Sequence, residues 1–203
     1  MIRGRQRTPP LYLLYNYLGI LGNIKGTRAT IRRLRNEYSV TDKTVRRPMD
    51  ILIGSGNAGK LREMQALLSP ASPWEIVSLA NFSPFKMPPE DGETMAQNAR
   101  IKAVFCARKL QFPCLADDSG LEVDALNGEP GVRSARWHSG TDQERSSALL
   151  SRLHHITENQ RVARFRCALC LSMSEDNLYE VEATCDGRIA LVPRGENGFG
   201  YDP

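Results

Sequence analysis

A glycine-rich segment at 51–60, ILIGSGNAGK, contains the residue types that bind phosphate in proteins. An apolar run ends at Gly54, and helix-favouring residues follow Lys60. Gly54, Gly56 and Gly59 fit the G-x-G-x-x-G dinucleotide fingerprint, whereas Gly54, Gly59 and Lys60 fit the G-x-x-x-x-G-K pattern of a P-loop. Both patterns place backbone N–H groups and a helix N-terminus where they attract an anion. The segment therefore predicts phosphate binding, with a strand-to-helix turn that binds no ligand as the alternative.

Neither pattern is complete. Leu61 stands where a P-loop has the Ser or Thr that holds magnesium, and a leucine side chain cannot ligate a metal. A dinucleotide site places an acid at the end of the second strand, but Glu75 opens the predicted strand at 75–79 instead of closing it. The segment alone therefore leaves open which phosphate compound binds.

A pair of adjacent acids, Asp117 and Asp118, lies in the run ADDSG at 116–120. The pair follows a short apolar strand, Cys114–Ala116, and the carboxyl ends of strands are where α/β sheets place ligand sites. Magnesium binds one or two carboxylates together with substrate phosphates. Asp-Asp-Ser-Gly alone is also typical of a solvated turn. Together with a phosphate-binding turn, the acid pair favours a metal site.

Two further segments carry groups that suit such a site. Glu90 lies in an acid-rich loop before a helix and is a candidate metal ligand, although such charges also suit a helix N-terminus. Lys102, within that helix, is a candidate phosphate contact, although helix lysines are usually exposed. In GFGYD at 198–202, aromatic rings can stack on a base and Asp202 can accept from ring N–H groups; the alternative is a turn whose aromatics pack inward.

The apolar periodicity predicts a mixed α/β fold that positions these groups. Strict alternation over 163–173, then a turn at 174–177, predicts a long antiparallel hairpin with odd-numbered side chains inward and even-numbered ones outward. Capping boxes open two helices, at Thr94 with Gln97 and at Thr141 with Glu144. The predicted helices are Asn57–Leu68, Thr94–Leu110 and Thr141–Leu153, and the predicted strands are Asp50–Gly54, Trp74–Leu79, Cys114–Ala116, Ala163–Met173, Leu178–Cys185 and Arg188–Val192.

Charge divides the 203 residues into two parts. Residues 1–48 hold 11 Lys/Arg and two acids, whereas residues 49–203 hold 16 Lys/Arg and 21 Asp/Glu. The acidic part has no basic surface suited to nucleic acid. We therefore expect 49–203 to form the domain and 1–48 to be a basic extension outside the fold, either upstream translation or an unstructured tail. A transit peptide or a secretory signal is the alternative for this extension.

Cysteine usage and hydropathy point to a reducing, cytoplasmic compartment. The five cysteines are an odd number without the spacing of a disulfide scaffold. Cys167 and Cys170 form a C-x-x-C, but residues three apart on a strand face opposite sides, so neither zinc nor redox pairing is expected. No run of 18 apolar residues is present, so we expect no membrane partner.

Together and in this order, these segments resemble the house-cleaning pyrophosphatases of non-canonical purine nucleoside triphosphates, the inosine/xanthosine triphosphate pyrophosphatase family. The resemblance covers essentially all of 49–203, and its most specific parts are Asp-Asp-Ser-Gly and Phe-Gly-Tyr-Asp. The matching residues are Ser55, Gly56, Asn57, Ala58, Gly59 and Lys60; Glu90, Asp91 and Gly92; Asn98, Ala99, Lys102 and Ala103; 116–121; Gly128, Pro130 and Gly131; Ser134, Ala135 and Arg136; and 198–203.

The resemblance implies a two-lobed α/β fold, a homodimer and hydrolysis between the α- and β-phosphates of inosine, deoxyinosine or xanthosine triphosphate. The products would be a nucleoside monophosphate and pyrophosphate. Residues 55–60 would hold the triphosphate, Mg²⁺ would bind Asp117, Asp118 and Glu90, and Asp118 would accept the proton of the attacking water. Nucleoside contacts would come from Ser119, Phe199, Gly200, Tyr201 and Asp202.

The chain departs from the family pattern in three places. Met95 and Gln97 stand where the family usually has Phe and Glu, and Ser55 stands where Thr is commoner. The third and most serious departure is at the end of the chain. The family pattern continues beyond Pro203 with a strand and one or two helices, which carry a lysine and a Ser-His-Arg motif that grip the base. We therefore expect an exposed apolar patch where such a segment would pack. A truncated, non-catalytic nucleotide-binding remnant is the alternative function. A P-loop kinase or ATPase is disfavoured by Leu61.

Overall fold

The computed structural model describes residues 49–68, 74–195 and 198–202. The basic extension 1–48 lies outside the described residues, so its prediction stays untested. Within the described ranges, one mixed sheet has the strand order β2-β1-β3-β4-β5. Its strands are β1 (Met49–Ile53), β2 (Trp74–Ser78), β3 (Cys114–Val123), β4 (Val162–Ser174) and β5 (Asn177–Arg188). The α-helices are α1 (Ala58–Leu68), α2 (Met95–Leu110) and α3 (Asp142–Arg152), and 3-10 turns span Leu79–Asn81, Asp124–Leu126, Gly131–Arg136 and Glu158–Gln160.

The long strand β3 joins the two halves of the molecule. It pairs in parallel with β1 only at its start, through Leu52 with Cys114 and Ile53 with Leu115. Beyond that point β1 has ended, while β3 continues antiparallel to β4 as far as Val123. The edge of β3 just after Leu115 is therefore not covered by β1, at the point where the glycine-rich segment leaves the sheet.

Helices cover both faces of the sheet in its first half. On one face, Met64 of α1 packs against Ile53 and Leu169. On the other face, a row of small residues lets α2 approach closely: Met95, Ala99 and Ala103 pack against Ala116, Ala168 and Cys170.

The prediction that Ala168, Cys170 and Ser172 of β4 face outward is wrong, because all three side chains are buried. Ala168 and Cys170 lie on the face of the sheet that α2 covers. Cys167 and Cys170 do lie on opposite faces, since Cys170 packs under α2 and Cys167 lines a cavity on the α1 side. The five cysteines are thiols.

The second half of the molecule has its own core. Its buried members are Leu121, Val123 and Ala163 from the far halves of β3 and β4, Leu149 and Leu153 from the region of α3, and also Ile189 and Tyr201. Two separate helix-covered cores on one sheet, joined by long strands, confirm the predicted two-lobed mixed α/β fold with its long hairpin. None of the helices in the described ranges is long and apolar enough to span a membrane.

Several predicted bounds differ from the structure. The run 117–120, predicted to lie beyond the end of a short strand, lies inside the ten-residue strand β3. The hairpin partner does not stop at Cys185: β5 continues to Arg188, and Gly187 pairs with Ala163 of β4. Leu191 and Val192, predicted as strand residues, lie outside it with half of their surface exposed. Thr94 and Thr141 are the N-caps of their helices and not their first helical residues.

Candidate active site

A cavity of about 580 Å³ opens where the glycine-rich segment, the uncovered part of β3 and the turn at 198–202 meet. Most of the predicted site residues line this cavity. They are Ser55, Gly56, Asn57, Lys60, Glu90, Lys102, Asp117, Asp118, Ser119, Phe199, Gly200, Tyr201 and Asp202. Ala58 and Gly59 do not line it: Ala58 is exposed at the start of α1, and Gly59 is buried. The volume is in the range of small-molecule sites in proteins.

The end of β1 and the start of α1 place the glycine-rich segment at this cavity. A Cβ at Gly54 would lie 2.8 Å from the sulfur of Cys114, so only glycine lets this turn lie against β3. The side-chain oxygen of Asn57 caps α1 by accepting from the N–H groups of Gly59 (2.8 Å) and Lys60 (3.2 Å). The positive end of the helix dipole therefore faces the cavity, which suits an anion.

Lys60 connects this helix N-terminus to the acid pair on β3. Its Nζ lies 2.5 Å from Oδ2 of Asp117, and both side chains are largely buried. Burial lowers the pKa of Lys60, but the Asp117 carboxylate outweighs this effect, so the pKa of Lys60 lies above its usual value. The other oxygen of Asp117, Oδ1, is buried and has no hydrogen-bond partner among the described residues.

Asp118 faces the opposite side of β3, toward α2, because successive strand residues alternate. Its Oδ2 accepts from Nδ2 of Asn98 at 3.0 Å, and its Oδ1 accepts from the N–H of Ser119 at 3.0 Å. Nζ of Lys102 lies 3.8 Å from Oδ1. Burial raises the pKa of Asp118, although Lys102 and Asn98 oppose the rise. Both aspartates still line one cavity. The cavity reaches both faces of β3 because β1 does not pair with β3 beyond Leu115.

Glu90 is held by two cations. Its carboxylate lies 2.9 Å from Nζ of Lys102 and 2.8 Å from Nη1 of Arg136, and Nη2 of Arg136 donates to the Glu90 carbonyl at 3.0 Å. Burial raises the pKa of Glu90, but the two cations outweigh it, so this pKa lies below its usual value. Lys102 is buried, so the alternative of an ordinary exposed helix lysine is wrong.

The acid residues of the cavity fit magnesium in part. Across the described residues, no three His, Cys, Asp or Glu side chains form a ready-made group for a metal ion. Magnesium, however, commonly takes only one or two protein carboxylates and completes its shell with phosphate and water. Asp117 offers a buried carboxylate oxygen without a partner, and Asp118 lines the same cavity. These two residues therefore suit such an ion, whereas the carboxylate of Glu90 is already engaged by Lys102 and Arg136.

The turn at 198–202 closes the other side of the cavity. Tyr201 is buried in the second core and its hydroxyl donates to the carbonyl of Ser134 at 3.1 Å. Oδ2 of Asp202 accepts from the N–H of Phe199 at 3.2 Å, and the N–H of Gly200 donates to Oδ2 of Asp142 at 2.7 Å. The tyrosine thus packs inward, as the alternative interpretation of this segment had it, while Phe199 and Gly200 line the cavity.

Sequence reasoning missed four charged residues of this cavity, namely Glu63, Asp142, Arg145 and Arg166. Burial, together with the charges of Asp202 and Asp117, raises the pKa of Glu63 to about 7. Glu63 lies one helical turn after Lys60, so their spacing on α1 was a usable signal. Arg145 donates to the carbonyl of Gly140 at 2.8 Å, and nothing in its sequence context indicates the cavity.

The fold and this cavity define a class: an α/β protein with buried acids beside a helix N-terminus that suits an anion. The comparisons with known proteins then identify the family, since the Ham1 family model matches residues 51–203 and the chain therefore belongs to the Ham1 family. A dITP/XTP pyrophosphatase of Thermus thermophilus is 45% identical over 158 residues, which is 77% of this chain and 75% of that protein.

Two further matches, one curated relative and one solved structure, point to the same family. The dITP/XTP pyrophosphatase of Geobacillus kaustophilus is 47% identical over 156 residues, which is 76% of each chain. The solved structure of a HAM1 protein from Coxiella burnetii is 39% identical and superposes with a TM-score of 0.68 over 76% of this chain and 80% of that one. The family resemblance read from the sequence is thus confirmed, and so is the fold.

Proposed function

We propose that this protein hydrolyses inosine, deoxyinosine and xanthosine triphosphates between the α- and β-phosphates, with magnesium, releasing the nucleoside monophosphate and pyrophosphate. Membership of the Ham1 family makes it an enzyme of the nucleoside triphosphate pyrophosphatase class. The observation that carries the proposal is the contact between Lys60 and Asp117, which brings a phosphate-binding helix N-terminus and the acid pair into one cavity.

The phosphates bind at the α1 end of the cavity. The helix N-terminus and the protonated Lys60 provide positive charge there, and the ammonium of Lys102 provides more on the α2 side of β3. Magnesium bound by Asp117 and Asp118 would neutralise phosphate charge and polarise the bond that breaks.

Asp118 accepts the proton of the attacking water. Its raised pKa makes it a stronger base than an exposed carboxylate, while Asn98 and Lys102 keep it ionised and in place. The nucleoside lies toward Ser119 and the turn at 198–202, where Phe199 and Gly200 present a flat surface to a base.

The homodimer follows from the resemblance, the location follows from the cysteine usage, and both are part of the proposal. We propose a homodimer and a cytoplasmic location, where deaminated purine nucleotides arise. Size-exclusion chromatography with light scattering checks the first, and fractionation of cells expressing the full chain checks the second.

Pyrophosphate release from the full chain tests the activity. Inosine, deoxyinosine and xanthosine triphosphates are compared with ATP and GTP, each with magnesium or with EDTA. We expect pyrophosphate from the first three, no turnover in EDTA, and a loss of at least about 100-fold in Asp118→Asn. Absence of pyrophosphate from all three substrates with magnesium would reject the activity in favour of a binding protein, and orthophosphate instead of pyrophosphate would indicate a phosphatase.

A further inference from the structure

Asn98 lies between the acid pair and the loop that carries Glu90. Its side chain is fully buried in the first turns of α2 and does not line the cavity. Nδ2 donates to Oδ2 of Asp118 at 3.0 Å, and Oδ1 accepts from the N–H of Gly92 at 2.8 Å. These two bonds fix which end of the amide faces Asp118, because a carboxylate accepts and a backbone N–H donates.

The same face of α2 holds Glu90 as well. Lys102 follows Asn98 by four residues, so the two side chains lie one above the other on the helix. Its ammonium contacts Glu90 at 2.9 Å and lies 3.8 Å from Asp118. A Cβ at Gly92 would lie 2.8 Å from Oδ1 of Asn98, so the loop can approach this amide only because residue 92 is a glycine.

We propose that Asn98 is a positioning residue for catalysis: it orients the Asp118 carboxylate toward the attacking water and ties that orientation to the loop carrying Glu90. This inference rests on the proposed function. It adds a residue that touches no substrate, and whose two hydrogen bonds set the geometry between Asp118 and the Glu90 loop. A bond to a charged group contributes about 10- to 100-fold to an equilibrium or a rate.

Asn98→Asp is the sharpest test, because it keeps the acceptor for Gly92 and replaces the amide donor to Asp118 by a second acid, which either repels Asp118 or shares a proton with it. Gln97→Glu is the matched control, since it makes the same amide-to-acid change one residue earlier. Oε1 of Gln97 accepts from the N–H groups of Glu93 (2.7 Å) and Thr94 (3.3 Å), which a carboxylate can also do. Asn98→Ser is the neutral second variant, in case the added acid prevents folding.

Pyrophosphate release from inosine triphosphate gives kcat and KM, and calorimetry with inorganic triphosphate counts the competent sites in each variant. We expect kcat of Asn98→Asp and Asn98→Ser to fall by about 10- to 100-fold, with KM within about twofold of wild type and one triphosphate bound per chain. A purely structural role would reduce the number of binding sites together with kcat.

Three outcomes decide the inference. A kcat for the Asn98 variants within twofold of Gln97→Glu overturns it. Loss of triphosphate binding in both Asn98 variants also overturns it, since Asn98 then serves the fold and not the geometry of Asp118. A wild-type protein that binds triphosphate without releasing pyrophosphate refutes the proposed function, which separates that failure from a failure of the positioning role.

Discussion

At the scale of single residues, the contact between Lys60 and Asp117 determines the electrostatics of the cavity. It places the partly exposed ammonium of Lys60 against one oxygen of the buried Asp117 carboxylate and leaves the other oxygen without a partner among the described residues. An unsatisfied buried polar atom costs about 1–3 kcal/mol. The pair would therefore stabilise a cation near Oδ1 and an anion near Nζ, which is the charge pattern of the magnesium–phosphate complex that we propose.

Removal of either member of this pair leaves the other charge buried without compensation. We expect Lys60→Met and Asp117→Asn each to lower the free energy of unfolding by about 3 kcal/mol. This value is the lower end of the range for breaking a buried ion pair, because Lys60 is partly exposed. The double variant should lose less free energy of unfolding than the sum of the two single losses. Urea unfolding measures all three, with the exposed Lys86→Met as the control, for which we expect a change below about 0.5 kcal/mol. Additive costs would show that the two side chains do not interact.

Glu63 gives the stability of the protein a dependence on pH. Its pKa is raised from 4.5 to about 7 in the folded protein, mainly by burial. The folded state therefore holds a proton that the unfolded chain loses above pH 4.5, so this residue makes stability fall as the pH rises from about 4.5 to 7. Glu63→Gln should be more stable than wild type at pH 8, by about 1–2 kcal/mol after allowance for solvent screening, and similar near pH 4.5. Thermal unfolding of both proteins from about pH 4.5 to 8 checks this prediction. A stability difference between them that does not change with pH would contradict it.

At the scale of elements, the N-termini of α2 and α3 serve opposite ends of the cavity. The start of α2 is followed within one turn by Asn98, which bonds to Asp118. The start of α3 carries Asp142, which holds the N–H of Gly200 in the turn at 198–202. Each start is fixed by a capping box, which Gln97 closes in α2 and the carboxylate of Glu144 closes in α3.

Substitution of the two capping threonines should give losses of stability of similar size and different kinetic defects. Thr94→Ala and Thr141→Ala each remove an acceptor 3.2 Å from a backbone N–H and should cost about 1 kcal/mol. We expect Thr94→Ala to lower kcat several-fold and Thr141→Ala mainly to raise KM for inosine triphosphate, because α3, and not α2, holds the turn at 198–202 where we propose that the nucleoside binds. Thermal unfolding measures the losses of stability, and steady-state kinetics measures kcat and KM. Identical kinetic profiles for the two variants would disprove the separate roles of α2 and α3.

Sequence patterns located the helices and the cavity residues well, since caps, glycines and apolar periodicity are local signals. They failed for β3, because Asp-Asp-Ser-Gly has the composition of a turn and only its pairing with β4 keeps it extended. They failed for Ala168 and Cys170 of β4 because small residues on an alternating strand read as solvent-facing until a helix is known to cover them. Arg145 could not be found at all, since it reaches the cavity only through the packing of the second core.

At the scale of the whole molecule, the turn at 198–202 connects the two lobes. Tyr201 lies in the core of the second lobe, while the ring of Phe199 lies over the start of α1 in the first. A Cβ at Gly59 would lie 2.7 Å from that ring. The start of α1 and the turn at 198–202 are therefore coupled through a direct contact.

Gly59→Ala tests this coupling, because the added methyl group must displace the ring of Phe199. We expect it to lower the free energy of unfolding by about 1–3 kcal/mol, whereas Gly56→Ala, whose Cβ would meet no atom within 4 Å, should be nearly neutral. The Phe199→Ala background removes the closest atoms and leaves only Oδ1 of Asn57, at 3.1 Å, so Gly59→Ala should then cost less. Urea unfolding of the double-mutant cycle gives the interaction energy directly. An unchanged cost of Gly59→Ala in that background would mean that the methyl group strains α1 itself and that the lobes are not joined through this contact.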